Sequence, residues 1–368
     1  MKFMIEKTLE TKSGIVHYWI SETIDPQKTN LFFLHGLTAS HELFEKQIEH
    51  FSKNYNVIAW DTPAHGASRP FEDFTYEKAA FAAKQILNDN GIGKAVFIGQ
   101  SMGGFITQSV IKRFPELVEG FVSIDSCPFG EKYYSKSDKW WLRQIEWMSS
   151  FYSDKSIRKA IAKQCTRTDR SYQNMLNMLS VYSKKELCHL MGIGFAGILE
   201  DNCDMTIKCP VMLIVGEYDM TGKVKHYNNE WSKDIKVPVT WIKNAAHNSN
   251  DDQPEQVNKQ IERFLLMLEK GERETLGPKV SNEHIEALSP EMKAILQAEL
   301  DAGNEICETY KGWKWEDSIC VFLKYSFKTS VKTDLPGIVY NETNDPHYWK
   351  AEYFEEKTHQ MIACNFEK

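Results

Sequence analysis

Lys94-Ala-Val-Phe-Ile-Gly-Gln-Ser-Met-Gly-Gly104 decides how the rest of the chain is read. Ala95 to Ile98 form a short continuous apolar run, the pattern of a strand buried on both faces, and the run stops at Gly99. From Phe105 the apolar residues recur at helical spacing, through Ile106, Val110, Ile111 and Phe114, until Pro115 ends the pattern. Ser101 therefore sits in a strand-to-helix turn. Gly99-Gln100-Ser101-Met102-Gly103 is a G-x-S-x-G pattern: its glycines permit a sharp, strained elbow that lifts the Ser hydroxyl out of the turn. The following helix aims its N-terminal N–H groups at any negative charge forming beside that hydroxyl.

Working outward, strand-like runs over residues 15–20, 31–34 and 57–60 and helical patterns over 43–51 and 76–87 precede the elbow. A strand over residues 118–124 ends in Asp125. Strands over 211–215 and 239–242 end in Gly216-Glu217-Tyr218-Asp219 and Asn244-Ala245-Ala246-His247, and an amphipathic helix spans 254–269. This alternation predicts an α/β fold with a mostly parallel sheet covered on both faces. Residues 129–209 break it with aromatic-rich helical segments, read as a helical cap over the sheet's C-terminal edge, where open α/β sheets bind ligands.

A charged linker over residues 270–279, with Gly271, Gly277 and Pro278, marks a boundary. The expected domains are 1–270, with the cap inserted at about 129–209, and a small α+β module over 280–368. In that module a helix is expected over 290–310 with Ser289 as its N-cap, and strands over 319–327, 337–340 and 360–366. The module's expected role is to dock on the larger domain or to make a homo-oligomer contact. There is no internal repeat and no low-complexity tract.

The chain has 368 residues, 42% of them hydrophobic and 26% charged, which is the composition of an ordinary soluble globular protein. A net charge of −7 argues against nucleic acid or an anionic membrane as the main partner. No apolar run approaches a membrane span, and the N-terminal residues carry no long apolar stretch, so a cytoplasmic protein is expected. The eight cysteines, at 127, 165, 188, 203, 209, 307, 320 and 364, are scattered without metal-ligand spacing, and read as reduced thiols.

A Ser hydroxyl needs a base, and the base an orienting carboxylate, both beyond the C-terminal ends of the strands. His247 follows the last strand and Asp219 the one before it, giving the chain order Ser, Asp, His. With His35-Gly36, the segment from Asp61 to Ser68, the elbow, Gly216 to Asp219 and Ala246-His247, residues 1 to about 270 resemble the α/β-hydrolase superfamily. Gln100 stands where many members have His, and Ala64 where Gly is common. The resemblance implies Ser101 as nucleophile, His247 as general base and acid, Asp219 as its orienting carboxylate, and the backbone N–H groups of Leu37 and Met102 as an oxyanion hole. It implies no cofactor and no metal.

Asp125 remains an alternative acid or a loop-capping carboxylate. His35 and His65 read as structural, Glu217 and His226 as solvated. Trp140, Trp141 and Trp147 could line an acyl pocket or form the core of the cap, and Asn344 to Trp349 reads as a packed turn that could bind a ligand. The expected activity is hydrolysis of a carboxylic ester, or a related acyl bond, of a small, partly apolar substrate. The alternatives are another chemistry of capped relatives (carbon–carbon bond hydrolysis, elimination, acyl transfer or aminopeptidase activity) and a non-catalytic receptor or scaffold.

Overall fold

The structure is a computed structural model that describes residues 4–273, 275, 280–302, 304–311, 319–324 and 359–365. The chain divides into two units: residues 1–235 with 242–274, and residues 236–241 with 275–368.

The strands of the main sheet are β1 (Met4–Thr11), β2 (Gly14–Ser21), β3 (Asn30–Leu34), β4 (Asn56–Trp60), β5 (Ala95–Gln100), β6 (Val118–Ile124), β7 (Val211–Gly216) and β8 (Val239–Ile242). They lie in the order β1-β2-β4-β3-β5-β6-β7-β8. The pairs β3/β4, β3/β5, β5/β6 and β6/β7 are parallel, whereas β1/β2 and β2/β4 are antiparallel. All residues of β4, β5 and β7 are buried, as the continuous apolar runs require when both faces are covered. One face packs against α1 (Glu45–Phe51) and the late helix Pro254–Glu269, through Phe33, Phe51, Ile98, Val257, Ile261 and Phe264. Next come α2 (Tyr76–Asp89) and the elbow helix α3 (Met102–Arg113), which pack on each other.

Strand β1 was not foreseen in the sequence because it has no apolar face: of Met4 to Thr11 only Leu9 is buried. It sits at the sheet edge, where Glu6, Lys7 and Glu10 discourage pairing with another chain.

Between β6 and β7 the chain inserts five helices: α4 (Lys136–Leu142), α5 (Ile145–Ser150), α6 (Asp154–Cys165), α7 (Asp169–Ser180) and α8 (Lys184–Asp201). After β7 follow α9 (Val224–Ile235), the short α10 (Ser249–Asp252) and α11 (Pro254–Glu269).

The second unit contains α12 (Asn282–Glu286), α13 (Pro290–Asp301), β9 (Glu305–Lys311), β10 (Ile319–Lys324) and β11 (His359–Asn365), with an antiparallel sheet ordered β11-β10-β9. Ile319, Val321 and Leu323, alternate residues of β10, meet Leu288, Met292 and Leu296 in a small core. The helix expected to run to residue 310 ends at Asp301. The stop was legible in Gly303-Asn304, and Ile306 and Thr309 are β-branched residues that suit the strand, in which Tyr310 pairs with Cys320. The strand expected over 337–340 and the turn from Asn344 to Trp349 lie outside the described residues.

Candidate active site

Ser101 follows β5 with φ 49° and ψ −112°, a conformation an L-residue adopts only under constraint. Its N–H donates to the Ile124 carbonyl at 2.8 Å, and its carbonyl accepts from Gly104 N–H at 2.9 Å. The two glycines of the motif have steric reasons. A Cβ on Gly99 would come within 2.5 Å of the Gly103 carbonyl, and one on Gly103 would overlap the Leu34 carbonyl oxygen. The elbow thus exists because β3, β5 and α3 approach too closely for side chains at these two positions.

The turns after β7 and β8 bring two more side chains to the hydroxyl. His247 Nε2 lies 2.8 Å from Ser101 Oγ, and His247 Nδ1 lies 2.8 Å from Asp219 Oδ2. Because an ionised carboxylate only accepts, Nδ1 carries the proton and Nε2 is left to accept from the Ser hydroxyl. Asp219 Oδ1 accepts the Thr221 N–H at 2.8 Å, which fixes the carboxylate plane. Burial works to lower the His247 pKa, but the charge and hydrogen bond of Asp219, together with the charge of Asp125, outweigh it and hold the imidazole above its ordinary value.

The loops carrying these residues are stitched together through the backbone. Tyr218 N–H donates to Ala245 O at 2.8 Å, and Glu217 Oε2 accepts from Asn244 N–H at 3.1 Å, so Glu217 is not merely solvated. Gln100 Nε2 donates to the His247 carbonyl at 2.7 Å, a holding contact that the sequence reading passed over. Asp125, the rival acid, makes no hydrogen bond to His247 among the described residues. Its Oδ1 accepts from Gly216 N–H at 2.6 Å and its Oδ2 from Ser249 N–H at 3.0 Å, so it ties the two loops to each other. Burial and the Asp219 charge push its carboxyl above the ordinary value, against the opposing pull of His247 and of the two N–H donors that its oxygens accept.

His35 and His65 are fully buried, and among the described residues neither hydrogen-bonds to Ser101, His247 or Asp219. His35 Nε2 accepts from Thr62 N–H at 2.9 Å and its Nδ1 lies 2.8 Å from Gly36 O; His65 Nδ1 lies 3.0 Å from Pro63 O. Burial pushes them down to about 4 and about 3 respectively, so both rings are neutral. His226 is half-buried beside Tyr227, with ring centroids 5.6 Å apart.

A cavity of about 110 Å³ opens at Ser101 and His247, with Leu37 on one side and Ile161, Met175, Met191 and Phe195 from the inserted helices on the other. Among the described residues, no acceptor is paired with the backbone N–H of Leu37 or of Met102. Trp140, Trp141 and Trp147 contribute neither to this wall nor to a helical core: they are 54%, 52% and 62% exposed. The sequence reading weighted aromatic size. The informative signal was the i, i+4 pair Met191 and Phe195 on a helix face relieved by Gly192 and Gly194. Among the described residues there is no cluster with metal-ligand geometry and no helix long and apolar enough to cross a membrane, and Cys127, Cys165, Cys188, Cys203 and Cys209 are free thiols.

Residues 29–180 match the family model of the alpha/beta hydrolase fold. The larger unit has the α/β-hydrolase fold. Over 118 residues this chain is 33% identical to (E)-2-((N-methylformamido)methylene)succinate hydrolase of Acinetobacter baylyi, covering 32% of this chain and 43% of that relative, less than half its length. Over 302 residues it is 18% identical to epoxide hydrolase 1 of Caenorhabditis elegans, covering 71% of this chain and 74% of that protein. A thermophilic esterase from Thermogutta terrifontis superposes with a TM-score of 0.58 at 18% identity, over 72% of this chain and 98% of its own, which establishes likeness of fold.

Proposed function

We propose that this α/β hydrolase is a serine hydrolase that cleaves a carboxylic ester, or a related acyl bond, of a small and partly apolar substrate. The observation that carries the reading is the unbroken chain Ser101 Oγ, His247 Nε2, His247 Nδ1, Asp219 Oδ2, with 2.8 Å at each hydrogen bond. His247 takes the Ser101 proton as Oγ adds to the substrate carbonyl carbon. The oxygen that gains the negative charge is received by the N–H groups of Leu37 and Met102. Collapse of this intermediate breaks the bond to the leaving group, which departs with the proton from His247, leaving an acyl-Ser101. Water then gives a proton to His247 and its oxygen to the acyl carbon, and the acid is released with Ser101 restored.

The cavity wall supports a small apolar acyl group. At about 110 Å³ the cavity is small, and in this reading it takes a short acyl chain rather than a fatty one. In this reading the inserted helices act as a cap that sets the depth of the pocket and limits water. The test is turnover of p-nitrophenyl esters from acetate to decanoate by wild type and Ser101→Ala. Preference for the shortest chains, lost in the variant, supports the reading. Turnover that rises with chain length would contradict the pocket assignment, and turnover retained in the variant would contradict the nucleophile.

A further inference from the structure

Five aromatic side chains within 13 residues of the inserted helices are turned to solvent: Trp140, Trp141 and Trp147, with Phe151 71% and Tyr152 50% exposed. Four of them meet in two pairs, Trp140 with Trp141 at 4.7 Å and Trp147 with Phe151 at 4.9 Å between ring centroids, both edge to face. The rings run from the end of α4 through α5 to the turn after it, and at a rise of about 1.5 Å per residue even an unbroken helix of that length would reach only about 20 Å. Isolated exposed apolar residues are ordinary, but a concentration of this kind marks an interaction surface.

The charges around the rings identify the kind of surface they fit. Residues 132–163 hold eight Lys and Arg against three Asp and Glu, in a chain whose net charge is −7. The three acids are engaged: Asp138 with Lys223 and the Ser135 cap, Glu146 with His189, and Asp154 with Arg158. Among the described residues, Lys136, Lys155, Lys159 and Lys163 have no ion pair. Protein interfaces are depleted in Lys, whereas Trp and Tyr flanked by free lysines suit the boundary of an anionic bilayer, where amphipathic rings sit at headgroup level and the ammonium groups meet phosphates. The whole-chain charge argues against such a partner, but the local charge has the opposite sign, and screening over roughly 8 Å makes the local value the relevant one.

We propose that α4, α5 and the start of α6 form a docking face for anionic lipid bilayers. α5 packs along α8, which carries Met191 and Phe195 to the cavity, and α6 brings Ile161 to the same wall. Docking would therefore set the helices around the cavity against the lipid surface. The proposal does not depend on which bond the site cleaves.

The test is co-sedimentation of the full chain with vesicles of phosphatidylcholine alone and of phosphatidylcholine mixed with phosphatidylglycerol. Binding to the mixed vesicles, a blue shift of tryptophan emission on binding, and weaker binding at high salt are expected. Trp147→Ser combined with Phe151→Ser should weaken partitioning at least tenfold, as should Lys155→Glu combined with Lys159→Glu. These are exposed positions, and circular dichroism checks that each variant is folded. Absence of wild-type binding, or binding that neither pair of substitutions reduces, would overturn the proposal. So would a dimer in analytical ultracentrifugation that Trp147→Ser with Phe151→Ser dissociates, because a second copy of the chain would then own the face.

Discussion

Asp125 Oδ2 accepts the backbone N–H of Ser249 at 3.0 Å, two residues beyond His247, while its Oδ1 takes the N–H of Gly216 at 2.6 Å, three residues before Asp219. One buried carboxylate thus ties the loop of His247 to the loop of Asp219 without a hydrogen bond to the imidazole. Asp125 itself has φ 48°, a left-handed conformation that this pair of contacts helps to hold.

Asp125→Asn replaces one acceptor with an NH2 group that must face a backbone N–H. A buried donor left unpaired costs about 1–3 kcal/mol, so the variant should melt at lower temperature and turn over at least tenfold more slowly. Asp219→Asn leaves the loops tied but deprives Nδ1 of its carboxylate, and should cost on the order of 10³-fold or more in kcat with little change in melting temperature. Thermal melts and kcat for the two variants check this. An Asp125→Asn protein of native stability that is slower than Asp219→Asn would make Asp125 the acid.

The pH profile follows from the raised His247 pKa. Only the neutral ring can take the Ser101 proton, so the acid limb of kcat/KM should fall off at a pH above the ordinary histidine value of about 6.5. The sign for stability is opposite. Folding favours the protonated ring, a contribution present below about 6.5 and lost as pH rises through the folded value. A kcat/KM profile from pH 5 to 9 checks the limb, and one centred below about 6 would contradict the account.

Acid sensitivity should come instead from His35 and His65. Both are held neutral with pKa values lowered to about 4 and about 3, and His65 Nε2 is buried without a hydrogen-bond partner. The unfolded chain binds their protons at about 6.5, so stability is full above that value and is lost as pH falls toward 4 and 3, by on the order of a few kcal/mol. His65→Asn, whose amide can still donate to Pro63 O, should flatten the fall of the urea midpoint between pH 6.5 and 4.5. An unchanged slope would place the acid sensitivity elsewhere.

The parts of this fold legible in sequence are those where one physical demand dominates. Ala95 to Ile98 had to be apolar because both sheet faces are covered, and Gly99 and Gly103 had to lack side chains because backbone lies against them. Asp219 and His247 stood out because each follows a strand whose end faces the elbow. Where local pattern and tertiary context separate, the sequence was silent or misleading. β1 is mostly exposed and joins the sheet chiefly through backbone pairing, with Leu9 its one buried side chain. The helix expected through residue 310 shows how an apolar count can override a Gly-Asn stop. Gln100 and Asp125 act by hydrogen-bonding to backbone 91 to 147 residues away, and no spacing rule reaches that far.

The central claim is that His247 activates Ser101, and labelling of the intact protein by a fluorophosphonate probe tests it most directly, because the probe reacts with an activated serine whatever the natural substrate. The account predicts stoichiometric labelling of wild type on Ser101, abolished in Ser101→Ala and much slowed in His247→Ala, with both variants folded. Labelling that persists in Ser101→Ala, or a folded wild type that does not react, would contradict it.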